Sequence, residues 1–493
     1  MLTNALEKVL GPGGIVTDAH ELGPFTEDWR GRYRGPALCV ALPSDTAQVA
    51  AVVELCAEAG VPVLAQGGNT SLCGGAVPDA AGPQPVIINL QRMRRIRSID
   101  PANNAVWVDA GCVLAAVQQA AVENDRLYPV SLGAEGSCQI GGAIATNAGG
   151  TGVLRYGNMR DNVLGLEVVL PDGSVWDGLH ALRKNNTGYD LKHLFIGSEG
   201  TLGVITGAVL KLHPLPSARS VAWLGVPCPD AALDVLGLFR ASYDARLTAF
   251  ELLDENQVAL VVSHIEGRRC PLADPGGWHV LVELSDTSET AVLDEAMHAV
   301  LERASKQGLV LDAVVATSEA QRNALWALRH SVSEANKKAG VGLTTDCAVP
   351  VSAVPSFIAR ATEAVRVVVP DLPMLTVAHL GDGNAHFIPF FSFAQWEAIV
   401  DKEATAQRIR CAVNDTAVAL GGTFSAEHGV GHTLTAEIAR YKPPVEIAMM
   451  RAIKRALDPD NLFNPGRLLP GEASINNPTN PEGNDALSVC DLS

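Results

Sequence analysis

Two histidines, His379 and His386, bracket the stretch Leu380-Gly381-Asp382-Gly383-Asn384-Ala385, and Glu427-His428-Gly429 follows about forty residues later. Two imidazoles and a carboxylate are enough to hold a divalent metal with one position left open, a donor set that suits zinc or manganese. His428, beside the carboxylate, is better cast as a base than as a ligand. The plain alternative is a hydrogen-bonded histidine pair with no metal. A metal held by His379, His386 and Glu427 would draw together the hydroxyl and carboxylate of a small substrate and acidify the hydroxyl. His428 would take that proton while hydride leaves the same carbon, and a hydride needs an acceptor.

The spacing requires a turn. In one continuous strand an odd separation would put the rings on opposite faces. Asp382-Gly383 is a favoured two-residue hairpin turn. It would pair Gly381 with Asn384, Leu380 with Ala385 and His379 with His386, so both imidazoles and Asn384 share a face and Leu380 points the other way. Further upstream, Trp326, Arg329, Ser333 and Lys337 recur at helical spacing. Arg329 is the candidate clamp for a carboxylate, which a guanidinium can grip bidentately; a solvent-facing arginine is the alternative.

The acceptor is sought in the glycine-rich half. Gln66-Gly67-Gly68-Asn69-Thr70-Ser71 directly follows the apolar run Val61–Ala65. Glycines let backbone amides approach a ligand and form an anion nest, which suits a diphosphate. Residues 133–157 hold Gly133, Gly136, Gly141, Gly142, Gly149, Gly150, Gly152 and Gly157, with Ser137, Thr146 and Asn147 between them. A third run is Gly197-Ser198-Glu199-Gly200-Thr201-Leu202-Gly203. Such loops could line a long, flat ligand mostly with backbone. Neither GxGxxG opening a βαβ unit nor GxxxxGK[ST] is present, so a dinucleotide-binding Rossmann domain and a P-loop are both unsupported.

The elements that would position these groups read as follows. A helix spans 45–59, with Asp45 and Thr46 at its start and Gly60 as its stop. Strands are expected at 61–65, 86–90 and 105–110, a helix at about 112–122, and a hairpin at 164–176 turning at Pro171-Asp172-Gly173. Leu212-His213-Pro214-Leu215-Pro216 marks a boundary. Beyond it, helices near 230–240, 290–306 and 318–338 alternate with strands near 278–284 and 372–390, as in an α+β domain. A helix near 440–457 follows Pro443-Pro444. Order is expected to end near Pro470, with a flexible polar tail over 471–493.

At 493 residues, 47% hydrophobic and 18% charged, the chain is globular and long enough for two or more domains. Its formal charge of -17 excludes broad nucleic-acid binding. No apolar run is long enough to span a bilayer, and no basic segment precedes an apolar core at the N-terminus, so neither membrane integration nor a secretory signal is expected. Ten scattered cysteines without a CxxC pair read as reduced core residues of a cytoplasmic enzyme.

Taken together these motifs resemble the FAD-linked 2-hydroxyacid dehydrogenases among the vanillyl-alcohol-oxidase-like flavoproteins, most closely the branch acting on D-2-hydroxyglutarate and its D-lactate and glycolate relatives. The resemblance runs from about Asp28 to Pro470. It is carried by QGGNTSLCGG at 66–75, GAEGSCQIGGAIATNAGG at 133–150, RYG at 155–157 and LRKNNTGYDLKHLFIGSEGTLGVIT at 182–206. AHLGDGNAHF at 378–387, EHGVG at 427–431 and LDPDNLFNPG at 457–466 complete it.

The resemblance implies an α+β fold: an FAD-binding domain over 1–215, an inserted α+β substrate domain over 216–420, and a segment over 421–470 that returns to the FAD domain carrying active-site residues. Gln66, Gly67, Gly68, Asn69, Thr70 and Ser71 resemble the pyrophosphate loop. Gly133, Ser137, Gly141, Thr146, Asn147, Gly150 and Ile205 resemble flavin and adenosine contacts, and Asn464 the residue that closes over FAD. The first loop has no histidine, so non-covalent FAD is expected. His379, His386 and Glu427 match the family's metal ligands, His428 its base, Arg329 its carboxylate grip, and Asn384 a substrate contact; Ser333 stands where the hydroxyglutarate branch has threonine.

That branch carries a lysine fifteen residues after the arginine, where this chain has Thr344. Threonine gives a distal carboxylate no counter-charge, and a buried unpaired carboxylate is costly. The expectation is therefore a D-2-hydroxyacid dehydrogenase passing hydride to the flavin, with a monocarboxylic substrate favoured over D-2-hydroxyglutarate unless Lys337 or Lys338 compensates. A 2-hydroxyacid oxidase using oxygen, a non-catalytic flavoprotein subunit and a flavin-free metallohydrolase are the rival readings. Electron-transfer flavoprotein, a quinone or a cytochrome would be compatible acceptors, and a homodimer is compatible as well.

Overall fold

A computed structural model describes residues 2–273, 276–288 and 292–471. The expected flexible tail lies, from residue 472 on, outside the described residues. The fold separates into two compact units. The first takes the chain up to Gly150, Gly157–Leu215, and the chain from Glu427; the second takes Thr151–Tyr156 and Pro216–Ala426. The division after Leu215 falls in the proline-rich stretch. The later one stands between Ala426 and Glu427 rather than 420 and 421, and 151–156 joins the second unit.

In the first unit, the helix Thr46–Ala59 begins where Asp45 accepts the Gln48 N–H and ends where Gly60 turns left-handed at φ 63°. Its apolar face buries Val49, Val52, Val53 and Cys56. The strand Val63–Gln66 pairs in parallel with Val86–Asn89, which pairs in parallel with Cys39–Ala41. Ile15–Val16 closes this sheet at one edge. A second, five-stranded antiparallel sheet runs in the order Ile96–Asp100, Ala105–Asp109, Val204–Lys211, Val163–Val169, Val175–Gly178. The C-terminal segment adds to the first sheet. Phe463 bridges Val63 in parallel, and its fully buried ring joins the unit's main core.

The second unit is built on one antiparallel sheet. Its order is Asp312–Val315, Ala218–Val226, Trp278–Asp286, Leu247–Asp254, Met374–His379, Asn384–Phe391 and Val341–Gly342, with Cys347–Ala348 also pairing on Asn384–Phe391. Strand alternation sends Phe250, Leu252, Val282, Ala378 and Phe387 to one face, under Val235, Phe239, Met297, Phe357 and Ile409 from flanking helices. The opposite face carries Trp223, Leu281, Leu253 and Val377 beneath Val258, Val261, Leu325, Leu328 and Ala335. Among the described residues no helix is long and apolar enough to cross a membrane.

Candidate active site

The face that carries Trp223 and Val377 turns polar toward one end of the sheet. Partner residues in a ladder share a face, and the registers pair Arg219 with Ser285 and Val221 with Glu283. They also pair Glu251 with Leu281 and with His379, and His379 with Asn384. A row of charge and imidazole therefore sits on a surface that is otherwise core. Such groups are stable there only when paired. Glu283 accepts from Arg219 Nη2 at 2.7 Å and from Trp326 Nε1 at 2.8 Å. Glu251 accepts from Arg329 Nε and lies 2.8 Å from His379 Nδ1.

The histidine hairpin forms, in a different register from the two-residue turn. His379 pairs with Asn384 and Val377 with His386, and the chain reverses through the four residues Leu380-Gly381-Asp382-Gly383. The N–H groups of Asp382 and Gly383 both donate to the His379 carbonyl, each at 3.1 Å. Gly383 has φ 87°, and a Cβ there would stand 2.2 Å from the Val349 carbonyl oxygen. The closed loop is thus two residues longer than the Asp-Gly turn alone. A shift of two preserves the faces, so both histidines and Asn384 still share one side, and Leu380 is buried in the opposite core. The rings lie edge to face, with centroids 5.4 Å apart.

Asp346, to which the sequence assigned no role, organises the outer edge of this hairpin. Its carboxylate accepts from Asn384 Nδ2 at 3.0 Å and lies 3.7 Å from His386 Nδ1. It also accepts the Ala426 N–H, at 3.1 Å. Asn384 gives its second amide hydrogen to the Cys347 carbonyl. Both its N–H groups are therefore committed inside the protein, and a substrate would meet only its oxygen.

The helical face expected to link Arg329 with Ser333 and Lys337 is broken. One helix, Glu319–His330, stops at Ser331, and another, Val332–Ala339, restarts. The Ser331 hydroxyl donates back to Ala327 O at 2.6 Å and accepts from Arg268 Nε at 3.0 Å. Arg329 turns inward, its side chain 11% exposed, against Glu251. Ser333, Lys337 and Thr344 are exposed, and Lys338 pairs with Glu334 at 2.7 Å.

In the first unit, Glu427 begins the segment directly after Ala426, and His428 Nε2 lies 3.8 Å from a Glu427 oxygen. The loop that follows is held by Glu199, which accepts the N–H of Val430 at 2.7 Å and of Gly431 at 2.6 Å. Glu199 itself has φ 51°, and burial pushes its carboxyl pKa up against those two hydrogen bonds. Its carbonyl receives Asn464 Nδ2 at 2.6 Å, while Asn464 Oδ1 accepts the Ala65 N–H at 3.0 Å. Asn464 thus ties the glycine run at 197–203 to the strand that leads into the loop at 66–71.

These loops form a cradle shaped by missing side chains. A Cβ on Gly68 would sit 2.0 Å from the Ser137 carbonyl oxygen, and one on Gly150 1.8 Å from that of Ser131. Gly141 packs against Ala110, with the Ile205 carbonyl close by. Gly133 has open space around it. Gln66 is buried, donating to Phe25 O and Ala76 O, and Asn69 donates to Pro24 O and Glu27 O. Gly67 and Thr70 are half-buried. The Ser71 hydroxyl accepts from Gly75 N, the Ser137 hydroxyl donates to Ala134 O, the Thr146 hydroxyl to Gly142 O, and Asn147 accepts the Arg160 N–H.

Most of the expected contact side chains therefore build the loops, leaving backbone to face a ligand. Two side-chain oxygens bear on occupancy: Asn69 Oδ1 and Gln139 Oε1, the latter not anticipated from the sequence, are buried with no hydrogen-bond partner among the described residues. Orphaned acceptors beside a glycine cradle fit a ligand bearing hydroxyl and N–H donors, as FAD does. His386 and Asp346 offer ligand atoms within 4.8 Å of one another, a donor pair that likewise fits a divalent cation; His379 is not in that group.

Comparison with known proteins agrees with both halves. Residues 37–178 match the family described as FAD binding domain, and residues 215–468 match FAD linked oxidases, C-terminal domain. A rice protein named probable D-2-hydroxyglutarate dehydrogenase, mitochondrial, is 38% identical over 94% of this chain and 81% of its own length. A Xanthomonas citri D-2-hydroxyglutarate dehydrogenase is 36% identical over 92% of this chain and 94% of its own. The crystal structure of p-cresol methylhydroxylase superposes with a TM-score of 0.72 at 17% identity over 94% of this chain and 96% of its own, a likeness of fold alone.

The expectation of a cytoplasmic enzyme is corrected by these relatives. The rice protein, and those from Arabidopsis thaliana, Bos taurus, Rattus norvegicus and Danio rerio, are named as mitochondrial.

Proposed function

Since this chain belongs to the FAD-linked oxidase family and is an FAD-dependent oxidoreductase of the 2-hydroxyacid dehydrogenase kind, we propose that it oxidises D-2-hydroxyglutarate to the 2-oxoacid. The observation that carries the reading is the polar row on one sheet face, where His379 and Arg329 meet on the buried Glu251 and Asn384 is the ladder partner of His379. Bound FAD, held without a covalent link by the loops at 66–71 and 133–150 and by Asn464, supplies the hydride acceptor. A divalent cation, zinc in our reading, supplies Lewis acidity where His379, His386 and Glu427 offer their donors. Arg329 grips a substrate carboxylate, and His428 takes the hydroxyl proton.

The dicarboxylic substrate replaces the monocarboxylic one expected from Thr344. The activity for which the rice and Xanthomonas relatives are named supports it. A physical reason is also at hand: a counter-charge need not come from position 344. Arg219 lies on the same sheet face, 37% exposed, held by the buried Glu283 at 2.7 Å and more loosely by the exposed Glu319 at 3.7 Å, a contact that a substrate carboxylate could replace. Electron-transfer flavoprotein, a quinone or a cytochrome remains our proposal for the final acceptor.

Anaerobic stopped-flow bleaching of the flavin tests this reading. D-2-hydroxyglutarate should bleach it faster than D-lactate, L-acids should not, and a chelator should slow the reaction at least tenfold. Rapid reduction by an L-acid, or full activity after chelation, would defeat the proposal.

A further inference from the structure

Glu251 stands in the middle of an apolar strand, Leu247–Asp254, with its side chain 1% exposed. One oxygen lies 2.8 Å from His379 Nδ1, and the other lies 2.8 Å from both Nε and Nη2 of Arg329. Backbone pairing enforces the first contact, because Glu251 and His379 are direct ladder partners. A buried anion could be kept far more simply as an aliphatic residue, and ion pairs of this kind contribute little net stability. Its geometry, by contrast, serves two groups of the site at once.

We propose that Glu251 is the positioning residue that fixes the tautomer of His379 for a cation and sets the plane of the Arg329 guanidinium; this rests on the reading of the site given above. An ionised carboxylate only accepts hydrogen bonds. His379 Nδ1 must therefore carry the proton, and its Nε2 keeps the lone pair that a metal requires. On the other side, Nε and Nη2 converge on one carboxylate oxygen. The guanidinium can then rotate no further, and its Nη1 edge is left to address a substrate carboxylate. The sequence distance between Glu251 and its two partners hides this arrangement; only the sheet register brings it together.

The test uses the full-length, FAD-loaded protein and its Glu251→Gln variant. Zinc binding is measured by competition with a chromophoric chelator, and flavin content and circular dichroism report the fold. The variant should bind zinc about 10- to 100-fold more weakly than wild type. Unchanged zinc affinity in a folded variant would overturn the inference, because a merely structural carboxylate would affect stability alone. A second measurement needs no Glu251 variant: in metal-free wild type, the 15N imidazole signals absent from His379→Gln should show a protonated Nδ1 and a bare Nε2. The opposite tautomer would also overturn it. If wild type takes up no zinc, this inference falls together with the metal-assisted function; if wild type binds zinc and the variant binds it equally well, this inference alone falls.

Discussion

A methyl group on Gly68 would press to 2.0 Å from the Ser137 carbonyl oxygen, a backbone atom that cannot step aside without moving the second glycine loop. Gly68→Ala should therefore purify with far less flavin than wild type, with FAD bound at least tenfold more weakly and little change in far-ultraviolet circular dichroism. The ratio of flavin to protein absorbance checks this, and full occupancy would argue against the cradle. At this scale the legible residues were those whose type alone is unusual: runs of glycine, and histidines beside a turn. Glu251, Asp346 and Glu199 were not read as functional. Each acts through partners distant in sequence, as with the 128 positions separating Glu251 from His379. A weak signal did exist, since an acid inside an apolar strand must find a cation or a donor.

Among elements, the helix Glu255–His264 depends on a cap that titrates. Asp254 accepts the N–H of Gln257 and of Thr376, and burial pushes its carboxyl up to about 7 from 3.8. Between those values the folded state holds a proton that the unfolded chain has released, so stability falls as pH rises through the window. The loss is up to roughly 4 kcal/mol. Asp254→Asn keeps a capping side chain and removes the proton, so its urea midpoint should fall less than that of wild type between pH 5 and pH 7.5. Equal slopes would contradict the assignment. Helix and strand positions followed the sequence closely where caps and alternation were strong, as at Asp45 and Gly60. The link from Arg329 to Ser333 failed because the helix is interrupted at Ser331, with Arg329 turned inward and Ser333 exposed. Periodicity counts residues and cannot see such a break.

For the molecule as a whole, the first unit is discontinuous, and its last segment returns to the sheet through Phe463. Removing that ring should cost about 3–5 kcal/mol. Phe463→Ala should thus lower the denaturation midpoint and release flavin at the same denaturant concentration, because Asn464, next along the chain, bonds Ala65 and Glu199. Loss of structure without simultaneous release would separate the two roles. The two-part plan was legible in the order of motifs and in the proline-rich boundary. The substrate expectation rested on the residue type at position 344 alone, and the fold leaves Thr344 exposed while the sheet register gathers charged groups from several strands.

The hairpin between His379 and His386 bears on how such a chain can change in length. Its loop holds two residues more than the minimal turn, and the side of the sheet is indifferent to that pair. Deleting or inserting residues there in twos would leave both imidazoles on the same surface as Glu251. A one-residue slip in the pairing of Asn384–Phe391 would instead turn His386 into the core around Phe387. The neighbouring strands Val341–Gly342 and Cys347–Ala348 pin that strand independently, so a change of loop length is tolerable only while their pairing holds.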